Sequence, residues 1–194
     1  TATRIIHQVV CHGQSLGQLL PPALEGLPAD ERGRLQDWCF GSCRWWHRLN
    51  AELQQRLHKP LPKRQGLLES LLILGLYQLR HTRIAPHAAI HQSVETAREL
   101  GSHQLTGLIN GILRKSLRDG EPEPGSEAIR HSHPQWLVAK LSANWISSEL
   151  LGMLNREEKT IAESAISPEQ LGTIIQRIQD GTISSKIAKQ VFEA

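Results

Sequence analysis

Cationic, amide and glycine residues recur at helical spacing between residues 105 and 118. Five of them share one helix face, namely Gly107, Asn110, Gly111, Arg114 and Arg118. Because a glycine inside a helix costs about 1 kcal/mol relative to alanine, two on one face indicate that another backbone approaches closely. That backbone is either a packed helix or a sugar-phosphate chain, since arginine forks pair with phosphate oxygens. On the second interpretation, Arg114 and Arg118 contact phosphates and Asn110 bonds a sugar or a base edge.

A second cationic group surrounds two adjacent tryptophans. It comprises Arg44, Arg48, Arg80 and Arg83, with His47 and His81 nearby in sequence. Trp45 and Trp46 could stack unpaired bases, but adjacent residues cannot both face one side of a helix, so at least one is expected in the core. The functional interpretation makes Arg44, Arg80 and Arg83 phosphate contacts of a single-stranded or looped RNA. The alternative is that these arginines form an ordinary solvated surface.

Histidine and cysteine pairs raise the question of metal binding and catalysis. His87 and His91 stand one helical turn apart with Glu95 a further turn on, which is compatible with zinc. The glutamate that a zinc protease carries between its histidines is missing, and no third ligand is evident. Cys39 and Cys43 are also one turn apart, but buried cysteines mostly act as small apolar side chains. With no glycine-rich phosphate loop and no serine elbow, we expect no catalytic residue, no metal site and no cofactor.

The elements that must position these groups are helices. A leucine-rich run from 67 to 79 leaves hardly any polar face, which predicts a central helix enclosed by others. Asp30 precedes an amphipathic helix, and Pro86 opens another, because proline is tolerated where the first backbone donors lack helical acceptors. Two proline pairs are expected to end the segments before them, Pro21 with Pro22 and Pro60 with Pro62. No strand alternation appears in residues 1–140, so the predicted fold class is all-α.

The composition changes near residue 141. Residues 1–140 hold 17 basic against 12 acidic side chains and all ten histidines, whereas residues 141–194 hold 5 basic against 7 acidic and half of the sixteen isoleucines. The acidic, proline-stiffened stretch 119–126 has the character of a connector. The predicted division is a helical domain over 1–118, a linker and the start of a connecting helix over 119–142, and a small helical tail domain over 143–194.

Three ordered motifs in the first part resemble the N-terminal domain of a known enzyme family. They are CFGSCR at 39–44, LGLYQLRHTRIAPHAAI at 74–90 and GLINGILR at 107–114. With HPQW at 133–136, they are similar to the 16S ribosomal RNA cytosine-C5 methyltransferase (RsmB/Sun/Fmu) family over about residues 3–140. The resemblance implies a NusB-like helical bundle that serves as an RNA-binding appendage. The S-adenosylmethionine-binding domain and Pro-Cys motif expected to follow are absent, since no cysteine lies beyond Cys43.

The second part resembles the C-terminal tail of the B component of the aspartyl/glutamyl-tRNA amidotransferase, a helical tail related to the YqeY domain. The run DGTISSK at 180–186 is a specific signature of that tail. The resemblance implies a domain that helps to hold transfer RNA, and Lys186 and Lys189 would be its weaker phosphate contacts. This order of parts is compatible with three origins, namely an engineered fusion, a composite of fragments and an unusual gene.

The leading hypothesis is a non-catalytic protein of two RNA-recognition modules, the first for ribosomal RNA and the second for transfer RNA. Phosphate contacts position a ligand without specifying its sequence, so the arginines should set affinity more than selectivity. Two alternatives stay open. One is a fragment of a methyltransferase or an amidotransferase, and the other is a protein-interaction module that docks a partner helix on the Gly107/Gly111 face. No apolar stretch approaches the roughly 20 residues of a membrane helix, so a cytoplasmic location and no membrane partner are expected.

Overall fold

The computed structural model describes residues 1–134 and, beyond them, residues 136, 137, 140, 152, 154, 156, 170, 173, 174 and 177. Every regular element in these residues is helical, in agreement with the predicted all-α class. The α-helices are α1 (Ala2–His12), α2 (Leu16–Leu24), α3 (Ala29–Arg44), α4 (Trp46–Arg56), α5 (Gly66–His81), α6 (Pro86–Glu99), α7 (Thr106–Asp119) and α8 (Glu127–Arg130). Short 3₁₀ turns, Lys63–Gln65 and His103–Leu105, precede α5 and α7.

Helix α5 is the central helix that its leucine content predicted. Eight consecutive residues, 71–78, are buried, because α1, α3, α4, α6 and α7 all pack around it. Its core includes Leu72, Ile73 and Leu76, each fully buried, together with Ile109 and Leu113 from α7. Burying a leucine or isoleucine contributes about 1.5–3 kcal/mol, so this cluster supplies much of the stability of the helical unit.

The three N-terminal helices enclose a second apolar cluster against α5. Ile6, Leu20, Leu35 and Cys39 are its buried centre. Burial raises the pKa of the Cys39 thiol to about 12, with a smaller contribution from the nearby Cys43. A thiol with such a pKa is protonated at neutral pH and acts as an apolar side chain.

Prolines occupy different positions in α6 and in α2. Pro86 is the first residue of α6, where its missing N–H leaves no helical bond unmade. The prediction that Pro21 and Pro22 end a helix is wrong, because both lie inside α2, which runs on to Leu24. The helix is short and starts only at Leu16, so the two prolines remove few hydrogen bonds from it.

The chain divides into two compact units, residues 1–123 and residues 124–194. In the second unit, α8 is a single turn, and every described residue beyond Pro134 has helical backbone. Leu154 is buried there, whereas Trp136 is 65% exposed. Lys186 and Lys189, expected to contact transfer RNA, lie outside the described residues. Within the described part of the chain, no helix combines the length and the apolar character needed to cross a membrane.

Candidate nucleic-acid interface

Helix α7 turns its glycines and cations away from the core. Ile109, Ile112, Leu113 and Ser116 are buried, while Gly107, Gly111, Arg114 and Arg118 are exposed and Asn110 is half-buried. Leu108, at the edge of the apolar face, is 38% exposed. A Cβ atom built on Gly107 or Gly111 would meet nothing within 4 Å. The close backbone that the glycines predicted is therefore not supplied by the described residues, which leave this surface open to a ligand.

A groove of about 580 Å³ runs between α6 and α7 along this open surface. We call it the α6–α7 groove. It is lined by His87, Ile90, His91, Val94, Glu95 and Arg98 from α6 and by Thr106, Gly107, Asn110, Arg114 and Leu117 from α7. Glu95 forms an ion pair with Arg98 inside the groove, so its carboxylate is neutralised locally. Arg114 gives the groove more hydrogen-bond donors than acceptors, since a neutral imidazole offers one of each, and such a surface suits an anionic ligand.

The two cations of α7 have different partners. The Arg114 Nε atom donates to the Asn110 side-chain oxygen at 2.9 Å, which holds the guanidinium along the groove and leaves its two Nη groups for another acceptor. Arg118 is 75% exposed at its side chain, and its Nε atom bonds the neighbouring Asp119 carboxylate at 2.9 Å. Because exposed pairs contribute only about 0–1 kcal/mol, a phosphate can replace Asp119 readily.

The structure does not place Arg80 with the other predicted phosphate contacts. Its guanidinium donates to both oxygens of Glu52, at 2.6 and 3.2 Å, and to the Ser116 carbonyl oxygen at 2.8 Å. The Arg80 side chain is only 12% exposed, and that of Glu52 is 2% exposed. The expected role is corrected on this ground, because the donors of Arg80 are committed to internal acceptors that join α4, α5 and α7.

Trp45 and its neighbours form a stack at the C-terminal end of α5. The Trp45 and His81 rings lie 4.6 Å apart and nearly parallel, and the Arg48 guanidinium sits 5.7 Å from the Trp45 ring centre. Arg48 also forms an ion pair with Glu121. Trp45 also packs against the cluster around α5, and Trp46 packs against both apolar clusters. Each tryptophan is half-buried and borders the core.

His81 should titrate at a lower pH than an ordinary histidine. Desolvation beside the Trp45 ring lowers its pKa below 6.5, and the nearby Arg48 and Arg80 act in the same direction, while the Glu121 carboxylate partly opposes them. We expect the imidazole signals in an NMR pH titration to give a pKa below 6.5. Substitution Glu121→Gln should lower that pKa further, because it removes the charge that favours the imidazolium. A midpoint at or above 6.5, or an upward shift in the variant, would contradict this assignment.

Arg44 and Arg83 remain exposed. Arg44, the last residue of α3, lines a second cavity of about 310 Å³. We call this cavity the Trp45 pocket, and its lining is Gln36, Asp37, Phe40, Gly41, Arg44, Trp45 and Tyr77. Arg83 follows the end of α5 by two residues, in the loop that leads to α6. Neither arginine has an ion-pair partner within the described residues, so both can meet a phosphate.

Gly41 allows α3 to cross α5 closely at the Trp45 pocket. A Cβ atom at this position would overlap the Tyr77 ring, which is 5% exposed and donates its hydroxyl to Asp37 at 3.0 Å. Burial and the bond to Asp37 raise the Tyr77 pKa to about 12, so the hydroxyl remains a donor at neutral pH.

Substitution Gly41→Ala is expected to lower the free energy of unfolding by about 1–3 kcal/mol, because the ring or the helix must shift to admit the methyl group. Urea denaturation followed by circular dichroism measures this. Gly111→Ala is the matched control, since its Cβ meets open space within a helix and should stabilise by a few tenths to about 1 kcal/mol. Equal effects of the two substitutions would contradict the packing described here.

The described residues contain no cluster of three or more histidine, cysteine or carboxylate side chains that could hold a metal ion. His87, His91 and Glu95 do share the wall of the α6–α7 groove, but the Glu95 carboxylate is paired with Arg98. These three side chains therefore contribute to the polar character of the groove.

Three lining residues of the Trp45 pocket were not predicted as binding residues, although Phe40 and Tyr77 lie within the family motifs. Asp37, Phe40 and Tyr77 come from two helices far apart in the chain, and periodicity within one helix cannot bring them together. The only local signal in the sequence is that the aromatic Phe40 lies beside Gly41. The structure leaves Phe40 52% exposed.

The bundle and its cationic faces define a small helical domain suited to bind a polyanion. Residues 1–118 match the NusB family, which is more than half of the chain, so the chain belongs to that family. Residues 127–194 match the GatB domain. These two matches confirm the two resemblances that the sequence motifs indicated.

Several curated proteins similar to the chain carry the name ribosomal RNA small subunit methyltransferase B. That of Sodalis glossinidius (strain morsitans) is 44% identical over 148 residues, which are 74% of this chain and 34% of the relative. Those of Pectobacterium atrosepticum and Escherichia coli O157:H7 are 42% and 38% identical over 143 residues, 72% of this chain and 33% of each relative. The chain thus spans about a third of the length of the relatives that it matches.

Proposed function

We propose that the NusB-family part of this chain is an RNA-binding module whose ligand is ribosomal RNA. The observation that carries the proposal is the face of α7 where Arg114 is held along a groove and no described residue covers Gly107 or Gly111. Single-stranded RNA fits such a surface, because its backbone can approach the glycines while its phosphates meet the cations. The name of the relatives refers to ribosomal RNA, which supports that class of RNA.

Charge supports the same interpretation. Residues 1–123 contain 15 basic and 11 acidic side chains. Two of the basic groups, Arg56 and Arg80, are buried against Glu52, and the exposed ones include Arg44, Arg83, Arg114 and Arg118. In this proposal these four arginines bind phosphates, and Asn110 bonds a sugar or a base edge while it orients Arg114.

The salt dependence of binding tests the proposal. We expect the purified chain to retard a mixed-sequence single-stranded RNA in gel-shift experiments between about 50 and 200 mM KCl. The logarithm of the association constant should fall linearly with the logarithm of the salt concentration. Each neutralised phosphate contributes about −0.7 to the slope, so four contacts predict a slope near −3. A flat dependence, or no retardation at the lowest salt, would contradict the proposal.

For the tail, we propose a second contact surface for RNA, of the transfer RNA type, with Lys186 and Lys189 as phosphate contacts. The support is the match of residues 127–194 to the GatB domain. Replacing both lysines with alanine should weaken retardation of transfer RNA and leave that of the single-stranded RNA unchanged. Equal loss for both ligands, or none for transfer RNA, would argue against a separate function of the tail.

The proposed role is non-catalytic for the residues present here. Methyl transfer to cytosine C5 needs a thiolate that attacks C6, and the thiols of Cys39 and Cys43 have pKa values raised by burial to about 12 and about 11. We expect no labelled methyl group to pass from S-adenosylmethionine to ribosomal RNA in the presence of the pure chain. Detectable transfer would overturn this part of the proposal.

A protein ligand is the competing function, and one observation favours it. Leu117, 44% exposed, lines the α6–α7 groove with Ile90 and Val94, so part of the groove wall is apolar. An apolar contact is not weakened by salt as phosphate pairs are. Binding to a partner protein that persists at high salt, together with a flat salt dependence for RNA, would therefore favour the docking of a helix over RNA.

A further inference from the structure

The Trp45 pocket combines three kinds of group that recognise a nucleobase. Phe40 offers a flat apolar face that is 52% exposed, and Trp45 and Tyr77 line the pocket beside it. The Asp37 carboxylate and the Gln36 amide are exposed at the same cavity. Arg44 adds a cation. The volume of about 310 Å³ lies at the lower end of the range for small-molecule sites, about 300–1,000 Å³, which suits one base.

The Asp37 carboxylate is held in place at this pocket. One of its oxygens, Oδ1, accepts a hydrogen bond from the buried Tyr77 hydroxyl at 3.0 Å. An ionised carboxylate accepts hydrogen bonds only, and its two oxygens have lone pairs to spare beyond the bond from Tyr77. The group can therefore receive two adjacent donors from a ligand without moving.

Guanine is the base whose edge matches such an acceptor. Its Watson–Crick edge presents the N1–H and the N2 amino donors side by side, whereas adenine presents one amino donor beside an acceptor nitrogen that a carboxylate repels. Uracil presents a single donor between two acceptors, and cytosine presents a single amino donor beside two acceptors. A site built to accept two donors discriminates against bases that lack one of them.

We propose that the Trp45 pocket is a specificity subsite that binds one unpaired guanine of the RNA, with Asp37 on its Watson–Crick edge, Phe40 stacked on its face and Arg44 on an adjacent phosphate. This inference rests on the proposed function and adds to it, because the arginines alone carry no sequence preference.

The charges of the pocket favour a nucleotide over a cationic side chain, which is the other kind of ligand that aromatic rings and a carboxylate would bind. A cationic side chain would bind Asp37 and the aromatic rings well. Arg44 lines the same cavity and would repel such a cation. A nucleotide carries both the donor edge that Asp37 needs and the phosphate that Arg44 needs, so it satisfies the two charges together.

Fluorescence anisotropy with labelled oligouridines tests the subsite on the full chain. The oligomers differ only at one central position, which is guanosine, adenosine or inosine. We expect the oligomer with guanosine to bind about tenfold more tightly than the one with adenosine. The oligomer with inosine, which lacks the N2 amino group, should have an affinity between these two. Equal affinity for guanosine and adenosine, or displacement of the RNA by an arginine amide at concentrations where guanosine monophosphate has no effect, would overturn the proposal.

Two variants and one control define the roles of the residues. Asp37→Asn keeps an oxygen for Tyr77 but replaces the second acceptor with a donor, so the preference for guanosine should fall to about twofold or less. Phe40→Leu should weaken the binding of all three oligomers alike, by about fivefold or more, since every base has a face that stacks on an aromatic ring. Asp30→Asn is the matched control, because it removes the same charge from an exposed site earlier on α3. Its preference should equal that of the unmodified chain.

The outcomes distinguish the two proposals. If all oligomers bind equally and with the expected salt dependence, RNA binding stands and the guanine subsite falls. If Asp37→Asn retains the preference, or Asp30→Asn loses it equally, Asp37 does not read the base. If no oligomer binds at the lowest salt, the proposed function fails and the subsite fails with it.

Discussion

Substitution Glu52→Ala is expected to lower the free energy of unfolding by about 3–5 kcal/mol. The Glu52 side chain is 2% exposed and accepts hydrogen bonds from both Arg56 and Arg80, whose side chains are 8% and 12% exposed. Removing it leaves two guanidinium groups near each other in a low-dielectric environment without their shared counter-charge, which is the costly way to break a buried pair. The Asp119 carboxylate, 3.6 Å from Arg56, compensates only in part.

Urea denaturation, followed by circular dichroism at 222 nm, gives this free energy. Glu99→Ala is the matched control, since it removes a carboxylate from the exposed end of α6 and should change stability by no more than about 0.5 kcal/mol. Glu52→Gln should fall between the two, because the amide keeps one acceptor oxygen but loses the charge. A loss below about 1 kcal/mol for Glu52→Ala would show that the arginines are solvated, and Arg80 would return to the list of phosphate contacts.

Joint replacement of four exposed arginines is expected to have the largest effect on RNA binding. Substituting alanine at Arg44, Arg83, Arg114 and Arg118 removes four proposed phosphate contacts. At about 0.7 per contact, the salt-dependence slope should become less steep by about 2.8. Since a hydrogen bond to a charged group is worth about 1.5–3 kcal/mol before the competition of water and salt is discounted, affinity near 0.1 M salt should fall by about 100-fold or more.

A second fourfold variant separates local contacts from total charge. Arg4, Arg32, Arg34 and Arg64 are also exposed and lie outside the α6–α7 groove and the Trp45 pocket. Their replacement changes the net charge equally but should leave the slope nearly unchanged. Both proteins should keep their helical content, because all the replaced side chains are exposed. Similar slopes for the two variants would mean that RNA is attracted by net charge alone, without a defined surface.

The sequence predicted the helices of this unit better than their contacts. The leucines of α5 and the proline that opens α6 are local signals, and both elements form as their residues require. The prediction for Pro21 and Pro22 failed because the helix that contains them is short and packs its buried Leu20 against the N-terminal cluster. Tertiary packing of that residue outweighs two missing backbone donors.

Arginine roles were the least predictable part of the site. Arg80 and Arg83 are close in sequence and chemically identical, but one is buried against Glu52 and the other is exposed. Glu52 lies 28 positions before Arg80, and only the crossing of α4 and α5 brings the two together. The Trp45 pocket has the same origin, because Gly41 lets α3 approach Tyr77 of α5. Contacts between distant segments determine which arginine is free to bind a ligand. The periodicity of a single helix carries no information about those contacts.

Amide chemical-shift mapping by NMR is the most direct test that RNA binds the surfaces described here. A single-stranded RNA is added to the isotope-labelled chain at low salt, and the shift of each amide signal is followed. We predict that the largest changes occur at Gly107, Asn110 and Gly111 on α7 and at Gly41 and Arg44 at the Trp45 pocket, while signals of α1 and α2 stay in place. Changes confined to α1 and α2, or none at a saturating concentration of RNA, would contradict the account.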